Sequence, residues 1–367
     1  MKKKNISIIN LSVVLLIVVF LVWRCEDLKQ NKQEITIKGS INNFEKFDEF
    51  ISVRIFVNDY TGNQRQTYDA FLDQNGRFKL KFHKVYPQDI QFKYGNTWLR
   101  LFVSPGNNLV VNFDAEKITD PNLLQEAIEF KGKEAQMNKE ILNYRINCLN
   151  KHSVWNEYHL KIKDLSPLEY KNFLYKLLEE DLKILNDYIS FNKPGEKFRV
   201  WAKYQLDYAC AWHLMRYRWY HPVMNKINEE EFIIPEKYFD FFDKFKIDNE
   251  PATVSYFYRN YLKEYKNFLE EKIRDIIVRK FESGDKLVAQ KFRIDNLISN
   301  LDGFALDAIL TQHFDMLIEA KKIEVLEENF EIYLNIIQNS SFKDRIITKY
   351  NNLKTLIKNP EISKNRN

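Results

Sequence analysis

The stretch from residue 88 to residue 114, QDIQFKYGNTWLRLFVSPGNNLVVNFD, decides how the first half of the chain folds. Apolar and polar residues alternate along it and stop alternating only at two glycine-containing turns. A period of two places one face of each strand in a core and leaves the other in water. The same pattern occurs earlier, with apolar residues at Ile35, Ile37, Ile51, Val53, Ile55, Val57, Phe78, Leu80 and Phe82. Residues 33–114 therefore predict an antiparallel β-sandwich, and Gln125–Phe130 predicts its last strand.

From about Glu134 the spacing of apolar residues changes from two to about three and a half, which indicates helices. Ser166-Pro167-Leu168-Glu169 has the pattern of a capping box with proline in the first turn. The predicted helices cover 134–149, 166–192, 196–219, 238–245, 255–281, 285–298, 303–319, 323–339 and 343–358. We expect an α+β multidomain protein whose sandwich domain (33–131) is followed by an all-α domain (132–358) and a polar tail (359–367).

The N-terminus predicts attachment to a membrane. Lysines at positions 2–4 precede the 18 residues Ile6–Trp23, an apolar run just long enough to cross a bilayer as a helix. Basic residues before an apolar run place the N-terminus in the cytoplasm and the rest of the chain outside. We expect a bacterial envelope protein, membrane-anchored with its body extracytoplasmic, either periplasmic or associated with the outer membrane.

Two kinds of anchor fit residues 1–25, and residues 26–32 form a polar spacer after either. An uncleaved signal anchor needs only the apolar run and the charge asymmetry, and we favour it. A lipoprotein signal would end at a lipidated cysteine, and Cys25 stands in the right place. Arg24, however, occupies the position where such signals normally carry a small residue.

The distribution of charge argues against nucleic-acid binding. The chain has 56 basic and 51 acidic residues, and four of the basic residues lie within residues 1–25, which contain no acidic residue. The remainder is nearly neutral, with both signs interspersed, and so has no electrostatic footprint for DNA or RNA.

The cysteines provide no dithiol centre. No Cys-x-x-Cys occurs, so the chain cannot build a dithiol redox site or a zinc ribbon by itself. Cys148 and Cys210 are the weak redox candidates of the body. They would form a disulfide in an oxidising compartment or remain as buried thiols.

Histidines near aromatic residues give two further candidates. Cys210 and His213 share a helical face, a spacing that suits a nucleophile and its base or half of a metal site. His152 and His159 also share a face. No further ligands stand at a recognisable distance, so packing and hydrogen bonding explain these residues better. We assign no catalytic residue, metal or cofactor, and the sequence favours a protein without enzymatic activity over an enzyme.

A second aromatic-rich helix is predicted over residues 255–281. It carries Tyr256, Phe257, Tyr258, Tyr261, Tyr265 and Phe268 around most of its circumference. Such a surface either grips a sugar or protein partner or is buried between other helices, and burial is the commoner case.

Four short motifs carry a family resemblance: Ile35–Gly39, Asp73–Phe78, Phe102–Leu109 and Phe130–Asn138. With the tether before them and helices after them, they resemble the accessory N-terminal region of envelope-anchored, thioredoxin-like (TlpA-like) thiol-disulfide oxidoreductases. The resemblance implies a β domain and a helical segment that precede a thioredoxin fold. The chain ends about where that fold would begin and has no Cys-x-x-Cys, so the family's redox activity does not carry over.

We therefore expect a non-catalytic, membrane-tethered binding or scaffold module of the cell envelope. Its partner would be an envelope protein or glycan, bound through an edge of the sandwich or through the aromatic helical surface. The alternative is a redox component that uses Cys148 or Cys210 with a separate thioredoxin-like partner. A third interpretation is a split oxidoreductase whose redox domain is encoded by a neighbouring gene.

Overall fold

The computed structural model describes residues 33–359, except 48, 63–64, 121, 150–154, 229–230 and 285. The predicted anchor, the spacer, Cys25 and most of the polar tail lie outside the described residues, as does His152. Within the described part, none of the helices combines the length and apolar character needed to cross a membrane.

Eight strands within the described residues form two four-stranded sheets. They are β1 (Glu34–Asn42), β2 (Ser52–Val57), β3 (Gln66–Phe71), β4 (Arg77–His83), β5 (Gln88–Tyr94), β6 (Thr97–Val103), β7 (Asn108–Asp114) and β8 (Ile128–Gly132). One sheet has the order β4-β1-β7-β8 and the other the order β3-β2-β5-β6. Strands of both sheets contribute to one hydrophobic core, where the Phe92 ring of β5 lies 5.8 Å from Phe78 and 6.0 Å from Phe113.

The prediction of a wholly antiparallel sandwich is wrong at one pair of strands. β1 pairs with β7 in parallel, with Ile37 opposite Leu109 and Ile41 opposite Phe113. The other five pairs are antiparallel. β1 lies between β4 and β7 and is buried whichever way its neighbours run. Its pattern of apolar residues therefore does not reveal the direction of either neighbour.

Three local predictions about the strands also need correction. β3 was not predicted, because its side chains alternate only between half-buried and exposed. The last strand begins at Ile128 rather than at Gln125, since Leu124–Ala127 forms a helical turn. Ile51 is exposed and lies just before β2, whereas the other apolar residues of that run are buried in the core.

The rest of the described chain is helical. The helices are α1 (Leu124–Ala127), α2 (Ala135–Tyr144), α3 (Trp155–Asp164), α4 (Pro167–Asn192), α5 (Glu196–Asn225), α6 (Phe241–Lys244), α7 (Tyr256–Lys272), α8 (Arg274–Glu282), α9 (Lys286–Asn300), α10 (Gly303–Glu319), α11 (Ile323–Ile336) and α12 (Ser340–Lys358). Short 3-10 segments occur at Phe44–Lys46, Glu236–Asp240 and Glu250–Val254, and a π-helical segment spans Arg145–Leu149.

Helix boundaries confirm some sequence signals and not others. The capping box at the start of α4 is present, with the Ser166 N–H donating to the Glu169 carboxylate at 3.0 Å. The helix predicted to end at Trp219 continues past Pro222 to Asn225, because a proline in the last turn removes only one hydrogen bond. The helix predicted over 255–281 is interrupted at Ile273, between α7 and α8.

A loop from the sandwich inserts into the helical part. Tyr60, which follows β2, is buried in the helical core, where its hydroxyl lies 3.1 Å from the Thr253 carbonyl and 3.2 Å from that of Ser255. Arg259 of α7 donates to the Asp59 carbonyl at 2.8 Å, and Gln312 of α10 donates to the Tyr60 carbonyl at 3.0 Å. Hydrogen bonds and apolar burial thus join the two parts across this loop.

Candidate functional site

The two cysteines of the body each lie in a helical segment. Cys210 on α5 is buried, and its Sγ lies 3.8 Å from the Leu174 carbonyl of α4. Burial raises the pKa of this thiol far above its ordinary value, so it stays protonated at neutral pH. Cys148 is half-buried in the π-helical segment. A protonated, enclosed thiol is a poor nucleophile, so Cys210 lacks the environment of a reactive cysteine.

The histidines pack rather than assemble a site. His213 is buried and stacks on Tyr158 of α3, with ring centroids 4.3 Å apart and planes 14° apart. Its predicted companion Cys210 contacts α4 instead. His159 lies on α3, but its side chain is outside the described set. Among the side chains that the structure describes, no three His, Cys, Asp or Glu residues are placed to hold a metal ion.

Three aromatic residues of α7 form core rather than a free surface. Tyr258 and Tyr261 are fully buried, and Phe257 is nearly so. The Tyr261 hydroxyl donates to the Phe245 carbonyl at 2.8 Å, and that of Tyr258 donates to Ile247 at 2.7 Å. Burial between neighbouring elements, the commoner of the two interpretations, describes this part of the helix.

One edge of the sandwich is closed by a side chain. β6 is the last strand of its sheet, and α2 packs against it. The Oδ1 atom of Asn138 on α2 accepts from the Phe102 N–H at 2.8 Å, and its Nδ2 donates to the Phe102 carbonyl at 3.0 Å. The amide thus occupies the backbone groups of Phe102 that an added strand would use, so β6 is closed to a partner strand at this residue.

Partly exposed aromatic rings and cations form two groups, one on the sandwich with Tyr256 and one on α5, and the ring of Phe257 contacts Tyr256 of the first group and Trp212 of the second. We call the two groups together the aromatic belt and define it by Phe56, Trp98, Tyr256, Trp212, Trp219, Tyr220, Arg65, Lys93, Arg100 and Arg216. All ten side chains are half-buried or exposed. No sequence motif predicts it, because its members are separated by long stretches of chain and meet only in the folded state.

The sandwich part of the belt lies on the outer face of the second sheet. Phe56 and Trp98 stack with centroids 5.3 Å apart and planes 19° apart. The Arg65 guanidinium lies 4.0 Å from the centre of the Phe56 ring, and the Lys93 ammonium lies 5.2 Å from that of Trp98. Trp98 is 46% exposed, so the pair forms an accessible aromatic surface bordered by cations.

Tyr256 and α5 continue the belt. Arg100 of β6 lies 5.0 Å from the Tyr256 ring at the start of α7. Further along α5, the guanidinium of Arg216 lies 4.8 Å from the rings of both Trp212 and Tyr220 and 5.5 Å from Trp219. One cation is thus surrounded by three rings on a half-buried surface.

The belt carries excess positive charge. Arg100 is paired with Asp89 at 2.9 Å, whereas Arg65 hydrogen-bonds the neutral side chain of Gln91. Among the described residues no carboxylate pairs with Arg65, Lys93 or Arg216. These unpaired cations give the belt an affinity for anions.

In comparisons with known proteins, no family model, curated protein or solved structure matches the chain.

Proposed function

We propose that this chain is a non-catalytic, membrane-tethered module of the bacterial cell envelope that binds an acidic glycan along its aromatic belt. The observation that carries the proposal is the cluster of Arg216 with three aromatic rings, together with the exposed Phe56–Trp98 stack. The apolar run at residues 6–23 and the resemblance to envelope accessory domains support the tether and the location.

The chemistry of the belt suits sugars that carry carboxylates. The apolar faces of sugar rings pack on aromatic rings, and uronate carboxylates accept charge-assisted hydrogen bonds from arginine and lysine. The Phe56 and Trp98 rings stack on each other, with Arg65 and Lys93 close to their centres. Trp98 is 46% exposed, so its uncovered ring surface and the cations beside the stacked pair are what a ligand would contact.

The extent of the belt favours a polymer over a single sugar. It includes residues of the second sheet, the start of α7 and the second half of α5. A chain of several sugar units would contact all three elements at once, and each contact adds to the affinity through its effective concentration.

Direct binding tests the proposal. The full chain in detergent micelles is immobilised, and polygalacturonate is compared with neutral dextran. We expect polygalacturonate to bind and dextran to bind far less. Trp98→Ala and Arg216→Met should each weaken polygalacturonate binding by about two- to tenfold. The matched controls Phe191→Ala and Lys176→Met change an 87% exposed ring and a 77% exposed side chain outside the belt, and should leave binding unchanged.

Three results would contradict the proposal. One is equal binding of dextran and polygalacturonate, and another is an unchanged affinity in both belt variants. The third is binding to vesicles of anionic lipid that is lost in the same variants while polygalacturonate does not bind, which would identify the belt as a membrane-facing surface.

A further inference from the structure

A small cavity lies where the sandwich meets α12, away from the aromatic belt. Its volume is about 150 Å³. Its walls come from the loop after β2, the segment between β4 and β5, and the first turn of α12. The side chains that matter for its chemistry are those of Asp59, Lys84, Gln88 and Arg345.

One of the two cations that line this cavity, Lys84, is weakly paired. Asp59 is buried, and its Oδ2 lies 3.0 Å from the Arg345 guanidinium and 3.9 Å from the Lys84 ammonium. Lys84 is only 7% exposed, and its ammonium donates a hydrogen bond to the neutral Gln66 side chain at 2.8 Å. Arg345 is shared between Asp59 and Asp315, whose carboxylate lies 3.9 Å from the guanidinium, so Lys84 is the cation of the cavity with the weakest pairing.

Two buried polar atoms in the walls have no partner. The Oε1 atom of Gln88, a residue that is 3% exposed, makes no hydrogen bond within the described part of the chain, and the same holds for Nε of Arg345. Burying an acceptor and a donor without partners is costly, typically about 1–3 kcal/mol for each group. Such atoms are retained where a ligand satisfies them.

The N-terminus of a long helix points to the same cavity. α12 has 19 residues, and Ser341 and Phe342 of its first turn line the wall. The Asn339 side chain caps only the Phe342 N–H, at 3.1 Å. The positive end of the helix dipole favours a negative group. The Asp307 carboxylate, which accepts from the N–H groups of Gln338 and Asn339, fills part of this role on the side of the two residues before the helix.

We propose that this cavity binds a small oxyanion that also carries a hydrogen-bond donor. The oxyanion lies against Lys84, Arg345 and the start of α12, and the donor reaches Oε1 of Gln88. A hydrogen phosphate group meets both requirements, and so does an amino acid with its carboxylate and ammonium. The site is separate from the proposed glycan surface, so either can fail without the other.

Matched anions test this requirement for a donor. Binding to the full chain in detergent micelles is followed by calorimetry and thermal unfolding at constant ionic strength. Phosphate is compared with sulfate, which has the same shape but no donor at neutral pH, and glycine with acetate. We expect phosphate to bind at least about tenfold more tightly than sulfate, or glycine to bind at least about tenfold more tightly than acetate. The pair of anions that shows this difference identifies the source of the oxyanion.

Variants separate this site from general effects of salt on stability. Gln88→Met removes the orphan acceptor and keeps the shape, so the protein should fold at least as well and lose the preference for phosphate over sulfate, or for glycine over acetate. Lys84→Met should abolish binding. Because removal of the Lys84 ammonium also leaves Asp59 less well paired, Gln88→Met is the decisive variant. Lys354→Met, on an exposed part of α12, should bind as the unaltered chain does.

Three outcomes would overturn the proposal. The first is that none of the four probes binds. The second is equal stabilisation by phosphate and sulfate in every variant, which is the general effect of excluded salts. The third is an undiminished preference in Gln88→Met.

Discussion

Asn138 completes the hydrogen bonding of Phe102 at the edge of the sandwich, accepting from its N–H at 2.8 Å and donating to its carbonyl at 3.0 Å. The Asn138 amide also donates to the Glu134 carbonyl at 2.8 Å, one turn earlier in the chain. One buried side chain thus closes the edge of β6 and holds α2 against it. Because α2 follows directly after β8, this contact fixes where the helical part begins to pack.

Replacing Asn138 by alanine should therefore destabilise the protein strongly. Both backbone groups of Phe102 would stay buried without partners, which costs about 2–4 kcal/mol in total. Urea unfolding monitored by circular dichroism measures the change. Asn147→Ala is the control, since its amide donates only to the Asn143 carbonyl on an exposed surface, and it should change stability by less than about 0.5 kcal/mol. Equal effects of the two variants would mean that Asn138 has no special role.

Gly39 permits the parallel pairing of β1 with β7. A Cβ atom at this position would overlap the carbonyl oxygen of Val111 on β7. Gly39→Ala should force the two strands apart and lower stability by more than about 3 kcal/mol or prevent folding. Gly195→Ala is the matched control, because its Cβ would make only ordinary contact with the Glu140 carboxylate at 3.7 Å or more. Soluble expression and urea unfolding compare the two, and a well-folded Gly39→Ala protein would contradict the close approach.

The alternation of apolar residues predicted most strands but could not give the direction of their pairing. A parallel and an antiparallel neighbour impose the same period of two, so the β1–β7 pair is invisible in the sequence. The sequence pattern does not predict β3, for a different reason. It is the edge strand of its sheet and contributes only half-buried side chains, Tyr68 among them, so its sequence QTYDAF lacks a regular apolar face.

The candidate sites are less visible in the sequence than the fold. Arg216 stands out among the aromatic residues of its own helix, but its part in a longer belt depends on Trp98 and Arg65 of the sandwich. The cavity brings Gln88 to Arg345 through the packing of α12 on the sandwich. Neither arrangement has a characteristic spacing, since its residues come from elements far apart in the chain. Such sites follow from tertiary packing and not from a motif.

Stability should fall in acid because of Asp59. Burial raises the pKa of this carboxyl, but Lys84, Arg345 and the hydrogen bonds from Thr61 lower it more, so its pKa lies well below the ordinary value. A lowered pKa stabilises the folded state above the unfolded pKa of about 4, and this contribution is lost as the pH falls further. Asp59→Asn should cost about 3 kcal/mol at neutral pH, because it removes the counter-charge of Lys84 and leaves Arg345 with only the more distant Asp315.

The difference between the unaltered chain and Asp59→Asn should shrink as the pH falls below about 4, measured by urea unfolding at a series of pH values. Asp69→Asn is the control, because its partner Arg54 is 49% exposed and such pairs contribute less than about 1 kcal/mol. A difference that stays constant from neutral pH into acid would show that the Asp59 charge does not stabilise the fold.

Cys210 should resist thiol reagents as long as the protein is folded. Burial raises the pKa of its thiol, and reaction needs both the thiolate and access to it. In a chain with Cys25→Ser and Cys148→Ser, where it is the last cysteine, we expect no labelling by a disulfide reagent in native buffer and one thiol per chain in guanidinium chloride. The matched chain with Cys25→Ser and Cys210→Ser tests the half-buried Cys148 in the same way. Rapid native labelling of Cys210 would contradict the argument from burial and would favour the redox alternative over a binding module, because that alternative requires a reactive thiol in the folded protein.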